Sequence, residues 1–369
     1  MSAIPVDGLH HVTVVVNDAR ATAKKFSTMY GIDLWAVTAY DPSRLGDATT
    51  HGFQAAQGYA RATGTVSTDS GPLTFVLVEP RSGWTTYHEF LNTRGEGIHS
   101  ICTAVVERDG IGGIRAGLED RGVPVGQSAT WDGAVDSVLF DTRAKLGGFY
   151  VEVLATAAPL RDLDLRADES WDFRADRAGR TPLMPLGGIK HFGVVVPDLM
   201  AAVRGYSELF GIATFSFRNW RTAPGSLDEP TYLGKPVDHA YFTTMVTPSE
   251  SVAFEVIQPT LGPSHYKEDY MQRIGPGIHH IHAGNLDDAQ AWQKLRTRMA
   301  EHEVPVVMSG GILNNYVDFY YLDTRAALAG YVTEVVVPGK NHDRGRPSVP
   351  FAMTVDLSAP VQPYAGAHR

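Results

Sequence analysis

The segment GLHHVTVVVND at residues 8–18 returns 180 residues later as GIKHFGVVVPD at residues 188–198. A second motif repeats with the same offset, because GEGIHSI at residues 95–101 corresponds to GPGIHHI at residues 275–281. A third pair, FDTRAKLGGFYVEV and LDTRAALAGYVTEV, begins at residues 140 and 322. Self-similarity at this distance indicates a tandem duplication, with one complete domain in each half of the chain.

Each half divides once more, because GIHSICTAV at residues 97–105 resembles the opening GLHHVTVVV. In the first module of each half, a β-branched run ends at Asp18 or Asp198, and aspartate is a common helix N-cap. After Asp198, apolar residues recur at the spacing of one helix face. Runs such as PLTFVLVEP at residues 72–80 are typical of strands that end at proline. The sequence therefore predicts an α+β fold of four βαβββ modules.

The repeat also sets the predicted domain boundaries, at residues 1–157 and 187–340. Between them, residues 158–186 are rich in Asp, Arg and Pro and lack a regular period, which is typical of a connector. Residues 341–369 have a similar composition, and we interpret them as a C-terminal tail.

The overall composition limits the class of partner. Hydrophobic residues make up 43% and charged residues 20%, as in ordinary globular proteins. A formal charge of -9 without a long Lys/Arg cluster argues against nucleic-acid binding. No long apolar run or signal-peptide pattern is present, so we expect a cytoplasmic protein with a small-molecule partner and no membrane partner. A homo-oligomer remains open, and the single cysteine, Cys102, is predicted to be a buried, unreactive thiol.

Aligning the modules reveals two positions where polar side chains recur within apolar strands. The strands that open the modules place at the first position His11, Ser100, His191 and His280. The strands that close the modules place at the second position Val76, Glu152, Glu255 and Glu334. Only the C-terminal half has a metal-ligating residue type at every position, which predicts a degenerate site in the N-terminal half.

A glutamate with apolar neighbours, such as Glu255 in AFEVI or Glu334 in VTEVV, is costly to bury unless it is paired or binds a cation. One histidine on a strand is more often structural than a ligand, but four such residues at equivalent positions predict a metal site at His191, Glu255, His280 and Glu334. Imidazoles with carboxylates suit one divalent transition metal, namely Fe, Mn, Co, Ni or Zn, rather than calcium.

The neighbouring histidines can be placed from strand geometry. Strict alternation puts His280 and His282 on one face of the strand and His279 on the other. His282 is then a candidate for supporting a ligand or contacting substrate. In the N-terminal half, we interpret His11 and Glu152 as a structural pair or the relic of a site.

These motifs resemble the vicinal oxygen chelate (VOC) superfamily, in particular its glyoxalase I-like and methylmalonyl-CoA epimerase-like members. The similarity is carried by VLVEPRSGWTTYHEFLNTRGEGIHSI at residues 76–101 and FEVIQPTLGPSHYKEDYMQRIGPGIHHI at residues 254–281. It extends over nearly the whole chain except the connector and the tail. It implies that paired βαβββ modules form a cupped sheet around one metal, with the four C-terminal residues matching the glyoxalase I-like ligand pattern.

The resemblance also implies an enzyme of isomerase, epimerase or lyase type that stabilises an enolate or enediolate of a small organic substrate. In such chemistry, Glu255 or Glu334 would act as the base that removes the proton. A metal-free binding protein of the bleomycin-resistance type uses the same modules, but the four-ligand set argues against it for the C-terminal half.

An alternative within the superfamily is an extradiol ring-cleaving dioxygenase, which uses two histidines and one glutamate on Fe(II). His191, His280 and Glu334 would supply that triad, and Tyr321 lies near the place of that family's acid/base tyrosine. The family's catalytic histidine would fall at Glu250 or Ser251, and neither residue is histidine. This departure places the isomerase-type interpretation first.

Overall fold

The computed structural model describes residues 3–163, 165–177, 179–184, 186–347 and 353–358, and these fold into two eleven-stranded sheets with few helices. The first sheet contains β1 His11–Val15, β2 Leu34–Tyr40, β3 Leu45–Thr50, β4 Phe53–Gln54, β5 Gln57–Thr68, β6 Gly71–Gly83, β7 Gly97–Glu107, β8 Val125–Trp131, β9 Val135–Phe140, β10 Tyr150–Thr156 and β11 Glu169–Asp172. The second contains β12 Phe192–Val195, β13 Thr214–Arg221, β14 Leu227–Tyr232, β15 Lys235–Pro236, β16 Ala240–Ser249, β17 Val252–Leu261, β18 Gly277–Asn285, β19 Val306–Ile312, β20 Val317–Leu322, β21 Val332–Pro338 and β22 Met353–Asp356. The predicted α+β class is confirmed.

The helices lie outside the two sheets and are short. They are α1 Ala19–Tyr30, α2 Thr86–Arg94, α3 Ile111–Glu119, α4 Arg143–Leu146, α5 Arg174–Arg177, α6 Leu199–Phe210, α7 Ala289–Glu301 and α8 Arg325–Leu328. A π-helical segment spans His265–Met271, and short 3₁₀ turns span Arg108–Gly110, Leu160–Asp162 and His342–Arg344. None of the described helices has the length and hydropathy needed to cross a membrane.

Local sequence explains where the helix after each opening strand begins and ends. Helix α6 starts after Asp198, whose side chain accepts a hydrogen bond from the Ala201 amide, and it ends at Gly211, which adopts a left-handed φ of 71°. Helix α1 repeats this arrangement with Asp18 and Gly31. The predicted aspartate caps are therefore present in both halves.

Each sheet is centred on four strands, two from each module. In the first sheet, β1 runs antiparallel to β7 and parallel to β6, while β7 runs parallel to β10. In the second sheet, β12, β18, β17 and β21 have the same relations. One departure from a simple βαβββ order is that β3 and β14 cross to the other module and pair with β8 and β19. In each domain, a strand of the first module therefore extends the sheet on the side of the second module.

The two domains pack through equivalent helices and turns. Helix α1 contacts α8 and helix α4 contacts α6. The turns before β10 and β21 fit closely against the opposite domain. A Cβ atom at Gly148 would lie 2.0 Å from the carbonyl oxygen of Pro276, and a Cβ atom at Gly330 would lie 1.8 Å from the carbonyl oxygen of Glu96. Both glycines have φ near +95° (96° and 94°), which other residues rarely adopt.

Two segments outside the predicted domains add edge strands. Strand β11, within the predicted connector, pairs with β2 and buries Trp171, and β22, within the predicted tail, pairs with β13. Residues 359–369 lie outside the described part of the chain.

Candidate metal centre

Four neighbouring strands at the centre of the second sheet bring one polar side chain each to a common point. In the sheet these strands lie in the order β21, β18, β12 and β17. The side chains they contribute, in the same order, are Glu334, His280, His191 (immediately before β12) and Glu255. One ligand-type atom from each residue lies within 4.8 Å of all the others. The structure thus brings together all four residues that the sequence predicted.

The distances between these atoms are compatible with a shared cation. Glu334 Oε2 lies 3.1 Å from His191 Nε2 and 3.5 Å from His280 Nε2. Glu255 Oε2 lies slightly further from the same two nitrogens, at 3.6 and 3.8 Å. Metal–ligand bonds of about 2.0–2.2 Å would place adjacent ligand atoms about 3.0–3.5 Å apart.

Unsatisfied polar atoms give an independent test of this fit. Among the described residues, His191 Nε2, His280 Nε2 and Glu334 Oε2 are buried and close to one another, but none of them makes a hydrogen bond of good geometry. Such atoms are uncommon, since each costs about 1–3 kcal/mol when it is left unpaired. Here all three converge on one point, and together with Glu255 they form a nitrogen and oxygen donor set that suits a divalent transition metal. The residues present therefore fit the cation.

A glycine on the neighbouring strand makes room for the His280 ring. Gly193 pairs directly with His280, and a Cβ at residue 193 would lie 1.8 Å from a ring carbon of His280. In the N-terminal domain, the equivalent cross-strand pair is Thr13 with Ser100. In the N-terminal domain the larger residue of the pair is therefore on β1, whereas in the C-terminal domain it is on β18, where the glycine on β12 leaves room for the imidazole.

We predict that Gly193→Ala weakens metal binding with a modest loss of stability. The added methyl group would displace the His280 ring, so metal affinity should fall more than tenfold, and repacking should cost about 1–3 kcal/mol. Titration with Co²⁺ alongside thermal unfolding measures both effects, with Thr13→Ala as the matched control in the other domain. Wild-type Co²⁺ affinity in Gly193→Ala would show that the His280 ring does not occupy a ligand position.

Glu334 is held in place by two tyrosines behind it. The Tyr321 hydroxyl donates a hydrogen bond to Glu334 Oε1 at 3.2 Å. Because the Tyr321 proton is used in this bond, the Tyr266 hydroxyl, 2.6 Å away, donates its proton to the Tyr321 oxygen. Burial acts to raise the pKa of Glu334, but its contacts with the His191 and His280 rings outweigh burial and hold that pKa well below its usual range. Glu334 is therefore a fixed, ionised carboxylate.

Glu255 is the least constrained of the four residues. Its Oε1 accepts one long hydrogen bond, from Thr243 Oγ1 at 3.3 Å, and its side chain is 16% exposed whereas that of His280 is fully buried. Burial raises the pKa of Glu255, with Glu334 acting in the same direction and His191 opposing it. Both glutamates line a cavity of about 280 Å³ whose walls include Trp220, Tyr241, Phe319 and Tyr321. Glu255 is thus placed to meet a molecule in this cavity.

The neighbouring histidines are also close to the cluster. His282 Nδ1 lies 3.9 Å from Glu334 Oε2, its Nε2 lies 3.1 Å from Asn285 Oδ1, and burial lowers the pKa of His282 to about 4. Strict alternation would separate the rings of His279 and His280, but the register of β18 against β12 slips by one residue at this point. This bulge brings His279 Nδ1 to 2.9 Å from His280 Nδ1, so the prediction that His279 faces away was wrong.

In the N-terminal domain the equivalent positions form a closed hydrogen-bonded pair. His11 Nε2 lies 2.8 Å from Glu152 Oε2, and Ser137 Oγ donates to Glu152 Oε1 at 2.6 Å. Burial lowers the pKa of the His11 imidazole. Burial acts to raise the pKa of the Glu152 carboxyl, but the charge and hydrogen bond of His11 outweigh it, so the pKa of Glu152 is lowered. The pair is satisfied without a cation, which supports its interpretation as structural.

The rest of this N-terminal cup is occupied by side chains. Val76 belongs to a buried cluster with Tyr59, Trp131 and Tyr150. Cys102 lies close enough to His11 and Glu152 to complete a three-residue ligand group, but it is fully buried, its Sγ donates to the Ala104 carbonyl, and burial raises its pKa well above the usual range. Within this packed cup the thiol is therefore held by its own hydrogen bond.

Comparisons with known proteins show the fold. No family model and no curated protein matches the sequence. Among solved structures, a triple mutant of 4-hydroxymandelate synthase from Streptomyces coelicolor matches 94% of this chain and 95% of its own at 14% identity and a TM-score of 0.53. The Mn(II)-bound glyoxalase from Novosphingobium aromaticivorans matches 94% of this chain and 85% of its own, at 14% identity and a TM-score of 0.42. The chain therefore has the fold of the vicinal oxygen chelate superfamily, as a tandem of two domains.

Proposed function

We propose that this chain is a metal-dependent enzyme that removes a proton from the carbon next to a carbonyl group of a small organic substrate. This chemistry underlies an isomerase, epimerase or lyase. The observation that supports it best is the fourth residue of the cluster: Glu255 is a second carboxylate, loosely held, at the wall of the cavity. An oxygen-activating triad needs only three protein ligands, so it leaves Glu255 without a role.

The two glutamates have different environments and therefore different proposed roles. Glu334 is anchored by Tyr321 on one oxygen and directs the other towards the histidines, as expected of a permanent ligand. Glu255 has the raised pKa, the longer distances and the contact with the cavity, as expected of a base that takes up a proton and returns it. Thr243 would orient the carboxylate through its hydrogen bond to Oε1.

A bound divalent cation would supply the positive charge that stabilises the negative oxygen developing on the substrate. Buried apolar side chains would limit the access of water to it, because Trp220, Tyr241 and Phe319 contribute to the cavity wall. A drier site strengthens the electrostatic interaction between the carboxylates, the histidines and the reacting group.

Ring cleavage by an extradiol-type dioxygenase is the second candidate. It is favoured by Tyr321, whose hydroxyl lies in the cavity wall beside Glu334, where an acid/base tyrosine would be expected. The residues at Glu250 and Ser251, where that family's catalytic histidine would fall, argue against it. Both residues are exposed in the turn between β16 and β17, and Ser251 accepts a hydrogen bond from the Leu9 amide.

Metal content and solvent exchange together test the proposal. We expect protein purified without added chelator or metal to contain about one divalent transition metal per chain, and Glu152→Gln to leave that content unchanged. With small oxo acids in deuterated water under anaerobic conditions, proton NMR should show loss of the signal of the hydrogen next to the carbonyl group. Oxygen uptake with catechols, measured in parallel, should be absent.

Two outcomes would contradict the proposal. Metal-free protein that binds no added divalent metal would indicate a binding protein rather than an enzyme of this kind. Oxygen consumption matched one to one with product, without anaerobic exchange, would favour the dioxygenase.

A further inference from the structure

Three buried histidines form a hydrogen-bonded chain that leads away from the candidate metal centre. His280 Nδ1 lies 2.9 Å from His279 Nδ1, and His279 Nε2 lies 2.6 Å from His265 Nδ1. All three residues are at most 1% exposed. We call His265, His279 and His280 the histidine chain; it begins on β18 and ends at the first residue of the π-helical segment.

The direction of the chain is set by the role of His280. A histidine that binds a cation through Nε2 is neutral and carries its proton on Nδ1. That proton can be donated only to an unprotonated His279 Nδ1, so His279 carries its own proton on Nε2 and donates it to His265 Nδ1.

The N-terminal domain supplies an internal comparison in which the ligand is missing. Ser100 stands in place of His280, and Thr86, in the first turn of α2, in place of His265. The residue equivalent to His279 is His99, and among the described residues neither of its ring nitrogens has a hydrogen-bond partner. Its ring instead stacks on Tyr150, with the centroids 4.6 Å apart. Without a ligand to support, this histidine serves only in packing.

The same bulge is present in both domains. The register of β7 against β1 shifts by one residue at the position equivalent to the shift of β18 against β12. The backbone that brings the two histidines together is therefore common to both halves of the chain. Among the described residues, the hydrogen-bonded chain itself is found only in the half that keeps the four candidate ligands. A purely structural network would not be expected to accompany the ligands in this way.

We infer that His279 and His265 are positioning residues for the metal centre: they fix the tautomer and ring orientation of His280 and so set the affinity of the site for its cation. The inference rests on the proposed metal site. Residues that hydrogen-bond to a ligating histidine raise its basicity and orient its ring, and their loss typically lowers metal affinity about 10- to 100-fold.

The test is a Co²⁺ titration of the full-length protein in competition with a chelator, together with the visible absorption spectrum of the bound Co²⁺. His279→Phe keeps a ring of similar shape but has no acceptor for His280, so the dissociation constant should rise about 10- to 100-fold. His279→Asn keeps an acceptor oxygen close to the position of Nδ1 and should recover much of the affinity. His265→Phe breaks only the outer hydrogen bond and should have a smaller effect in the same direction.

His99→Phe is the matched control and should leave the Co²⁺ affinity and spectrum unchanged. If the wild-type protein binds no Co²⁺, the proposed function fails. If the wild type binds Co²⁺ and folded His279→Phe binds it equally well with the same spectrum, only the positioning role is overturned. Should His279→Phe not fold, a wild-type Co²⁺ affinity and spectrum in folded His265→Phe, where the inference expects weaker binding, would overturn the inference in its place.

Discussion

Replacing Glu255 with glutamine is expected to lower turnover by about two orders of magnitude or more, the usual scale for loss of a general acid–base group. Glutamine has nearly the same shape and can still accept the hydrogen bond from Thr243, but it cannot take up a proton. Anaerobic exchange of the substrate hydrogen with deuterated water should fall by the same factor, because this exchange reports proton removal directly.

Metal content separates this effect from damage to the site. Glu255 lies furthest from the two histidines, so Glu255→Gln should retain most of its metal, with Glu334 and both imidazoles still in place. Glu152→Gln, at the equivalent position of the other domain, is the control and should leave turnover unchanged in the folded protein. Nearly wild-type turnover in Glu255→Gln, with oxygen uptake, would indicate that His191, His280 and Glu334 suffice and that the dioxygenase interpretation is correct.

The site could be predicted because the duplication supplied an internal alignment. Positions related by the repeat occupy equivalent strands, so His191, Glu255, His280 and Glu334 could be grouped without knowledge of any distance. The sequence also contains a matching difference between the halves: Thr13 and Ser100 in the first correspond to Gly193 and His280 in the second. This difference indicates that residue 193 is small because it faces the large side chain of a candidate ligand. Only the sheet register shows that these residues face each other.

Other features depend on irregularities that periodicity does not reveal. Alternation along a strand predicts side-chain faces only while the register is regular, and the bulge in β18 places His279 beside His280. His265 lies 15 residues before His280, in a segment where the sequence shows no strand period. The crossing of β14 to pair with β19 likewise depends on contacts between modules, which a pattern within one module does not encode.

The N-terminal cup, which lacks two of the four ligand residues, is filled by its own side chains. With Val76 and Ser100 at two of the four positions, the remaining acid and histidine pair with each other, and aromatic side chains occupy the space above them. Apolar packing there adds stability that an open, hydrated cup could not supply. This domain would then support the C-terminal domain through the α1–α8 and α4–α6 contacts rather than bind a ligand itself.

Replacing His280 with alanine is expected to abolish both metal binding and activity. His280 is the only fully buried candidate ligand, and its Nε2 has no hydrogen-bond partner among the described residues, so the side chain contributes a directed ligand rather than a replaceable surface contact. Loss of the His280 imidazole also leaves the buried negative charge of Glu334 Oε2 with fewer groups to neutralise it. Elemental analysis and Co²⁺ titration measure the loss.

His99→Ala gives the informative contrast because it removes a buried imidazole from the equivalent strand. His99 packs against Tyr87, Phe90 and Tyr150, so its loss should cost about 2–4 kcal/mol of unfolding free energy, as for other large-to-small changes in a core. Metal content and turnover should nevertheless remain close to wild type at temperatures where the protein is folded. A loss of metal in His99→Ala equal to that in His280→Ala would mean that stability, and not ligation, controls occupancy, and the assignment of the site to the C-terminal domain would fail.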